Sequence, residues 1–356
     1  MNIKNNKLIC YSKKYYIYSR GPKLYISGTT KETKTRFVQL PVSALKSLLG
    51  SFRLSARALR LNPRCGIFVD DTIALVSYHG EIYRINCASG EIALEHHFRQ
   101  EMNNPLSFVQ IKDVPGFTDG IYYGEYYLNK SRNPIRIYRR NKDASWEAVY
   151  TFPAGSIYHI HTIVPCPKKA CVYVLTGDED AESAIYECKN DFAEVKPIVQ
   201  GKQSFRACVA LPTQKGLLYT TDTPLEDNYL YHLDFDTKEV KKVLPLSGPS
   251  IYSKVLSDTE MVFSTTVESD SRLPRWRYEF SWKLGPGVKD RYSRIYHVQV
   301  NGDDIKCKEI FRIKKDIIPG GCGQMGTLMF PVGEGSLFVT GQSVRKYDNK
   351  TFSIGI

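Results

Sequence analysis

The chain has 356 residues, of which 42% are hydrophobic and 12% aromatic, and its formal net charge is +12. This apolar content is sufficient for a packed core, so wholesale disorder is excluded. The excess of Lys and Arg favours an anionic partner: nucleic acid, acidic lipid or acidic glycan.

Two features of the sequence bear on the cellular location. No stretch approaches the ~18 apolar residues that span a membrane, and residues 1–7 lack the apolar core of a secretory signal. The nine cysteines are odd in number, contain no CxxC pair and lie mostly in apolar runs, as small buried hydrophobes do. We therefore expect a cytoplasmic protein with reduced thiols.

The predicted elements are short strands in seven successive units. Runs of alternating β-branched or aromatic residues recur, with turn residues between them. The units cover residues 8–41, 65–98, 106–155, 156–201, 204–248, 249–316 and 321–356. In the last unit, four strands are predicted, at residues 328–330, 337–340, 344–347 and 352–354.

One helix is predicted, over residues 42–61, between the first two units. Its apolar residues recur near helical spacing, although Gly50 weakens the pattern. These apolar positions are Leu45, Leu48, Leu49, Phe52, Leu54 and Leu59. We expect the segment to be a helical excursion from an otherwise all-β chain.

A short phrase recurs with a period of roughly 45 residues, a length typical of stacked supersecondary units. In each copy an apolar, strand-like run ends in a small residue and then an acid or amide: Glu125, Asp178, Asp222, Glu268 and Gln342. Strand-rich repeats of this length predict a β-propeller. We predict a single all-β domain over residues 1–356 with seven blades, six being the alternative count, and a ring closed by packing between the first and last units.

The repeat also places polar side chains at one mouth of the central channel. The start of the first strand and the end of the second strand of each blade share a face. The first strands supply His159, His161, Arg206, Tyr252, Lys254 and Gln324, and the second strands supply Glu125 with Tyr126, Asp178, Asp222 and Glu268. Because side chains alternate along a strand, His159 and His161 point the same way. Such mouths are common ligand sites.

One loop on this face is unusually long. Residues 269–294 connect the second and third strands of the unit 249–316, and they carry Arg275, Trp276, Arg277 and Trp282 among many basic residues. This composition favours a lid in which the tryptophans stack on sugar rings and the arginines meet carboxylates. The alternative is a surface excursion whose tryptophans pack on a neighbouring blade.

Residues 122–233, with Thr266-Val267-Glu268, resemble a known group of propellers. The segments that carry the resemblance are Tyr123-Gly124-Glu125-Tyr126, Ile135-Arg136-Ile137-Tyr138, Ser145-Trp146-Glu147, Phe152-Pro153-Ala154-Gly155, His159-Ile160-His161, Leu175-Thr176-Gly177-Asp178 and Thr221-Asp222-Thr223-Pro224. Together they resemble the sialidase-like, Asp-box (BNR-repeat) propellers, often described as glycosyl hydrolases and common among bacterial polysaccharide-synthesis genes. The resemblance covers about half of the chain and implies a propeller in a glycan context.

The chain also departs from that family. Asp143-Ala144-Ser145-Trp146 looks like a degraded Asp box without its usual glycine, and such boxes are structural turns. The arginine triad with which a true sialidase grips a carboxylate is not assignable. Sialidase activity is therefore not carried over.

The candidate residues allow several chemistries. His159 and His161 could bind a divalent metal, act as general acid and base, or be polar channel residues held by hydrogen bonds. Arg206 could clamp a carboxylate or sulfate, or form a salt bridge with Asp178 or Asp222. Glycoside hydrolysis needs a facing pair of carboxylates. Elimination next to a uronate needs a cation on the carboxylate and a His or Tyr that removes the adjacent proton.

We expect a protein that acts on an acidic bacterial glycan, a capsular or other surface polysaccharide or its precursor, by lyase-type or hydrolytic cleavage. The alternative is a non-catalytic propeller that binds a glycan or a partner protein in polysaccharide biosynthesis. The expected catalytic residues are Glu125, Tyr126, His159, His161, Asp178 and Arg206. The expected substrate-binding residues are Asp222, Tyr252, Lys254, Glu268, Arg275, Trp276, Arg277, Trp282 and Gln324. The one cofactor considered is a divalent metal on the histidines, and no nucleic-acid module is recognisable.

Overall fold

The computed structural model describes residues 6–30, 34–320 and 324–356, and these residues form seven antiparallel sheets. Each sheet is a blade whose strands follow one another in chain order. First strands of neighbouring blades contact one another around the ring, for example β13 with β17 and β17 with β21 in the numbering given below. The prediction of an all-β, seven-bladed propeller is confirmed.

Blades 1 to 4 contain strands β1 to β16. Their bounds are Lys7–Tyr11, Tyr15–Arg20, Lys23–Gly28 and Arg36–Gln39 in blade 1; Gly66–Phe68, Ile73–Tyr78, Glu81–Asn86 and Ile92–His97 in blade 2; Val109–Ile111, Gly120–Gly124, Ile135–Arg140 and Trp146–Phe152 in blade 3; and His159–Cys166, Cys171–Gly177, Ala184–Lys189 and Glu194–Gln200 in blade 4.

Blades 5 to 7 contain strands β17 to β27. Their bounds are Ala207–Pro212, Gly216–Thr221, Asn228–Asp234 and Val240–Leu246 in blade 5; Ser250–Ser257, Glu260–Thr265, Tyr292–Asn301 and Asp304–Lys314 in blade 6; and Thr327–Met329, Phe338–Gln342 and Lys350–Ser353 in blade 7. The short helices are α1 (Ala44–Gly50), α2 (Arg53–Ala58) and α3 (Arg275–Phe280).

The core consists of the apolar layers between neighbouring blades. β14 is buried along its whole length because strands flank it on both sides and blades cover both of its faces. An aromatic pair joins the second and third strands of three blades: Tyr123–Tyr138, Tyr219–Tyr231 and Phe263–Tyr296, with ring centroids 5.1, 5.4 and 5.2 Å apart. Stacked pairs of this kind contribute about 0.5–1.5 kcal/mol each beyond burial.

Blade 7 differs from the prediction, because the structure describes three strands there and not four. Residues 344–347 form a turn, bounded by Ser343 and Asn349 with φ of 59° and 52°. The Asp348 carboxylate stabilises this turn by accepting the backbone N–H of Ser343 at 2.8 Å. The ring closes by contacts between blades 1 and 7, such as the N–H of Leu8 donating to Thr351 Oγ1 at 2.9 Å.

The predicted helix over residues 42–61 is two short helices, α1 and α2, separated by Ser51 and Phe52. Gly50 ends α1 where the chain passes close to blade 1: a Cβ on Gly50 would lie 2.3 Å from Pro22 Cδ. Most of the apolar positions of the segment are exposed, with Leu45 at 64% and Phe52 at 60%. The segment, here called the helical excursion, therefore places apolar side chains on the surface.

The long connection in blade 6 runs from residue 266 to residue 291, since β22 ends at Thr265 and β23 begins at Tyr292. The predicted bounds of 269–294 were thus about three residues late, and Arg294 belongs to β23. The connection, here called the insert, contains α3. Within the described residues, no helix is long and apolar enough to cross a membrane.

Candidate functional site

The chain brings several of its candidate residues together at one mouth of the channel. β13 begins at His159, which pairs with Gly177 at the end of β14, so Asp178 follows directly beside the histidines. Gly177 permits this close approach, since a Cβ there would lie 2.7 Å from His161 Cε1 and 2.9 Å from Arg206 Cγ. A larger residue at Gly177 would push these side chains away.

His159 and His161 face each other through their Nε2 atoms. These two atoms are 3.0 Å apart, and Oδ1 of Asp178 lies 3.6 Å from the first and 3.3 Å from the second. On the other side of the rings, Nδ1 of His159 lies 3.1 Å from the Tyr127 carbonyl and Nδ1 of His161 lies 2.9 Å from the Ala207 carbonyl. A carbonyl oxygen can only accept, so both Nδ1 atoms carry the hydrogen.

This tautomer makes three acceptor atoms converge. A neutral imidazole with hydrogen on Nδ1 has a lone pair on Nε2, and Asp178 adds a carboxylate oxygen. Three lone pairs at these distances repel one another unless a cation lies among them. The cluster of His159, His161 and Asp178, here called the triad, is therefore suited to receive one proton or one metal ion.

Burial and charge set the protonation of the triad. The pKa of His161 lies below its ordinary value, mainly because burial disfavours the charged ring, although Asp178 opposes this shift. For Asp178, burial alone would raise the pKa, but the attraction of the carboxylate to His159 and His161 when these rings are protonated, and to the charge of Arg206, holds it well below its usual range. At neutral pH, His161 is therefore neutral and Asp178 is ionised.

Arg206 forms ion pairs with two acids at the same mouth. Its Nη2 lies 2.9 Å from Asp178 Oδ1 and 3.6 Å from Asp222 Oδ2, and its Nη1 donates to the Asp178 carbonyl at 3.1 Å. The geometry matches the salt-bridge alternative for this arginine. Arg206 orients the carboxylate of Asp178 and is not free to bind a ligand in this arrangement.

Two further acids lie buried next to Arg206. Burial is the main cause that raises the pKa of Asp222 well above its usual range and raises the pKa of Glu268. Asp222 Oδ2 accepts from the Cys208 thiol at 3.4 Å, and Glu268 Oε1 accepts from Thr266 Oγ1 at 2.9 Å. Both acids therefore keep a proton more readily than an exposed carboxylic acid does.

A cation that the sequence analysis did not single out, Arg64, lies at the same mouth. Its guanidinium carbon is 5.3 Å from the ring centroid of Tyr126, and that ring lies 4.3 Å from the ring of His159. The groups whose charges act on Arg64 most strongly are Tyr252, Tyr126 and two cysteines, and no carboxylate is among them. Among the described residues, Arg64 forms no ion pair, and its buried Nε has no hydrogen-bond partner.

Arg64 occupies the place in blade 2 that Arg206 occupies in blade 5, just before the first strand of the blade. The sequence contained this positional signal, because each arginine lies within two residues of the start of a repeat unit. Lys7 lies beside it and donates from Nζ to the Pro63 carbonyl at 2.7 Å. Burial, and then the charge of Arg64, lower the pKa of Lys7 to about 8. The mouth therefore contains two neighbouring cations, of which Lys7 is buried and Arg64 is half-buried.

Two predicted site residues, Glu125 and Lys254, lie elsewhere. Glu125 pairs with Arg99, with Oε2 and Nη1 3.2 Å apart, and accepts the backbone N–H of Arg136 at 2.9 Å. It turns away from the triad because its neighbour in the chain, Tyr126, faces His159. Lys254 donates to the Gly333 carbonyl at 2.9 Å and to the Tyr11 hydroxyl, and burial lowers its pKa to about 8. Gln324 donates its backbone N–H to the Gly320 carbonyl at 2.7 Å.

The insert reaches the mouth through a residue that was not predicted. Burial raises the pKa of Tyr278, and the charge of Glu268 adds to the shift, which places Tyr278 beside that acid. Trp276 and Trp282 are 64% and 53% exposed and lie on the outer surface, where Arg277 stacks on Trp276 at 4.9 Å. Arg275 begins α3, and its side chain lies outside the described residues. The stacking of sugars on these tryptophans remains a prediction.

The triad fits the geometry of a divalent metal site. In a tetrahedral zinc site, nitrogen and oxygen ligands at ~2.0–2.1 Å lie ~3.3 Å from one another, which is close to the three distances above. The two Nδ1 hydrogen bonds to carbonyls are the usual support for metal-binding histidines. A second group, His161, Cys208 and Asp222, also gathers its ligand atoms within 4.8 Å. Both groups share His161, so only one of them can hold an ion at a time.

Comparisons with known proteins extend the fold assignment. No family model matches the chain, and no curated protein matches it. A chain in the crystal structure of a mitotic checkpoint complex matches with a TM-score of 0.56 at 6% identity, over 98% of this chain and 89% of the other. A Bacteroides uniformis protein assigned provisionally as a 6-phosphogluconolactonase matches with a TM-score of 0.52 at 11% identity, over 95% and 89%.

These likenesses show the fold, a seven-bladed β-propeller, because the identities are too low to carry a function. They do not link the chain to the sialidase-like Asp-box propellers. That resemblance remains a prediction from the sequence, as does the glycan context that it implies.

Proposed function

We propose that the protein binds an acidic glycan at this mouth and cleaves it by elimination next to a uronate. The observation that supports this most directly is Arg64, a cation at the mouth without an acidic partner among the described residues. An unpaired cation removed from water is costly, and the carboxylate of a ligand would compensate it. The planar guanidinium can bind such a carboxylate with two parallel hydrogen bonds.

The elimination has three requirements. The carboxylate of the uronate must be neutralised, so that the proton on C5 becomes acidic. A base then takes that proton, its electron pair forms the C4–C5 double bond, and the bond from C4 to the glycosidic oxygen breaks. The departing oxygen takes a proton from an acid. Arg64 meets the first requirement, with Lys7 adding positive charge behind it.

The histidine pair is the proposed base. His161 is neutral at neutral pH because burial lowers its pKa, so its Nε2 lone pair is available. A proton taken there is shared across the 3.0 Å to Nε2 of His159, which relieves the repulsion between the two lone pairs. The ionised Asp178, 3.3 Å from His161, stabilises the positive charge that results.

Tyr126 is the proposed acid. Burial raises its pKa, against the opposing charge of Arg64, so the phenol keeps its proton at neutral pH. The ring lies against both Arg64 and His159, next to the proposed carboxylate site and the proposed base. Donating this proton to the glycosidic oxygen completes the elimination.

Hydrolysis is the second candidate, and one observation favours it. Asp178 is held ionised while burial raises the pKa of Asp222 and of Glu268, so these two acids keep a proton more readily, and a glycosidase pairs an ionised carboxylate with a protonated one. In that case Asp178 would act as base or nucleophile and one of the buried acids would protonate the leaving group. Recognition of a glycan without cleavage is the non-catalytic alternative.

A divalent metal held by His159, His161 and Asp178 would polarise the sugar carboxylate. It would also occupy the Nε2 lone pairs of the proposed base. Metal binding and proton acceptance at the triad therefore exclude each other.

The test is incubation of the full chain with polygalacturonate and with alginate. We expect a new ultraviolet absorbance from the conjugated double bond, and a loss of rate of at least about 100-fold in Arg64→Met. Arg64→Lys should retain part of the binding, because it keeps the charge and loses the two-pronged geometry. The matched control is Arg84→Met, an exposed arginine on β7 of the same blade.

Other outcomes replace the proposal. New reducing ends without the absorbance indicate hydrolysis. Binding that depends on Arg64 without either product indicates the non-catalytic alternative. Absence of binding to both polymers, or equal losses in Arg64→Met and Arg84→Met, contradicts an acidic-glycan site at Arg64.

A further inference from the structure

The exposed apolar side chains are concentrated on the face that carries the mouth. This face is built from the connections between the second and third strands of each blade and from those that lead to the next blade. Most of the large apolar side chains that are exposed among the described residues lie on these connections: Leu45, Leu48, Phe52, Leu54, Leu59, Leu128, Leu225, Trp276, Phe280, Trp282 and Ile317. The proposed elimination uses none of them.

Three of these segments join into one surface. Arg57 in the helical excursion binds Asp316, with Nη1 and Oδ2 2.6 Å apart. The next residue, Ile317, accepts the indole N–H of Trp282 at 2.7 Å. The charge of Arg60 acts on Tyr278 of α3, so the excursion and the insert also lie close together. These contacts bring the excursion, residues 316–317 and the insert next to one another, and the three segments together are here called the docking face.

The charge of the docking face is positive. Residues 41–63 contain Lys46, Arg53, Arg57 and Arg60 and neither Asp nor Glu. Several exposed cations on this side of the ring have no acidic partner among the residues that the structure describes: Lys46, Arg60, Lys130, Lys202, Arg277 and Arg291. Because its apolar side chains lie among cations without acidic partners, the docking face matches a partner surface that is both apolar and anionic.

We propose that the docking face binds an anionic lipid surface. Leu and Phe side chains that project from short helices can enter the acyl boundary, while neighbouring Lys and Arg meet the headgroups. Trp276 and Trp282 are both exposed; Arg277 stacks on the ring of Trp276 and Arg291 donates to the Trp282 carbonyl, and tryptophan next to cations is common at membrane interfaces. This proposal is independent of the proposed elimination, since none of the residues of the triad is needed for it.

The test is sedimentation with vesicles of phosphatidylcholine containing phosphatidylglycerol, compared with phosphatidylcholine alone. We expect binding to the anionic vesicles, weakened by salt, and a blue shift of tryptophan emission as Trp276 and Trp282 leave water. The triple variant Leu48→Ser, Phe52→Ser, Trp276→Ser should bind at least about ten-fold more weakly. The chain has a third tryptophan, Trp146, which lies in β12 and serves as the internal reference.

The matched control is Phe37→Ser with Leu94→Ser, two apolar residues that are 70% and 46% exposed on outer strands away from the docking face. Their replacement should leave vesicle binding unchanged. Equal losses in both variants, or no binding to anionic vesicles by the full chain, would overturn the proposal. A shift of tryptophan emission with acidic polysaccharide but not with vesicles would instead assign Trp276 and Trp282 to glycan binding. A dimer in sedimentation equilibrium that the triple variant dissociates, without vesicle binding, would identify a second copy as the occupant.

Discussion

The two faces of the ring use their polar residues in opposite ways. On the face opposite the mouth, aspartates are satisfied within their own turns: Asp70 Oδ1 accepts the backbone N–H groups of Thr72 and Ile73 at 2.7 and 2.8 Å. On the mouth face, His159 and His161 direct lone pairs at each other. Polar groups that satisfy their own backbone stabilise turns, whereas groups left in mutual conflict mark a place for a ligand or a proton.

The turn at Asp143, the segment that looks like a degraded Asp box, is a second case of an aspartate whose hydrogen bonds are satisfied within its own turn. Asp143 Oδ1 accepts from the N–H and the hydroxyl of Ser145 at 3.0 and 2.7 Å, and Ala144 has a φ of 69°. A positive φ favours glycine, the residue that the Asp box usually has. This box-like turn lies on the face opposite the mouth and has no part in the proposed chemistry.

Replacing His161 is the test with the largest expected effect on the polar groups of the mouth face. His161→Ala removes the proposed base and should lower the elimination rate by about 10²–10⁴-fold while the fold persists, because general-base catalysis contributes about that factor. Initial rates on the polymer and a thermal unfolding curve measure the two effects.

The control for this variant is His232→Ala, a half-buried histidine on β19 outside the mouth, whose pKa burial also lowers. Its rate should match that of the unchanged chain. If both variants lose activity equally, the histidine pair has no special role. If only His161→Ala unfolds, His161 is needed for the stability of the fold.

Replacing Arg57 tests what holds the docking face in place. Arg57 is 2% exposed, and its Nη1 lies 2.6 Å from Asp316 and 2.9 Å from Asp348. Arg57→Met removes the most buried cation from the Asp316 and Asp348 carboxylates and should lower the free energy of unfolding by about 3–5 kcal/mol. Denaturant unfolding measures the loss, and limited proteolysis should cut first within residues 42–61.

Arg53 provides the matched control. It also approaches Asp348, at 3.4 Å, but its side chain is 54% exposed. Arg53→Met should therefore cost less than about 1 kcal/mol, as exposed ion pairs do. A similar decrease in the free energy of unfolding in both variants would mean that the burial of Arg57 does not strengthen its ion pairs.

The propeller and the position of the triad could be predicted from the sequence. The repeat period determines where each blade begins, and strand alternation places His159 and His161 on one side of β13. Asp178 follows because the end of β14 pairs with the start of β13. These are local and periodic properties, which a single sequence records directly.

The partners of each side chain could not be predicted in the same way. Glu125 turns to Arg99 and not to the histidines, because adjacent residues after a strand point to opposite sides. Residues 344–347 match a strand pattern, but the carboxylate of Asp348 stabilises a turn there. The exposure of Leu45 and Phe52 and the close contact of Gly50 with Pro22 both involve parts of the chain that are distant in sequence.

Metal binding is the test with the smallest expected effect. It shows whether the Nε2 lone pairs of His159 and His161 accept a proton or a metal ion. We expect Zn²⁺ to bind the triad and to inhibit elimination, since it takes the lone pair that the proton needs, and activity to survive a chelator. His159→Asn should weaken Zn²⁺ binding by about 10–100-fold in calorimetry. Cys208→Ser should leave the affinity unchanged if the triad holds the ion, and weaken it if the group of His161, Cys208 and Asp222 does. Because only a neutral imidazole binds metal, the affinity should decline as the pH falls through the pKa of His161, which lies below the ordinary value of ~6.5. Activity that a chelator abolishes and a divalent metal restores would instead make the histidines ligands of a resident ion, and the base would then have to be another residue of the mouth.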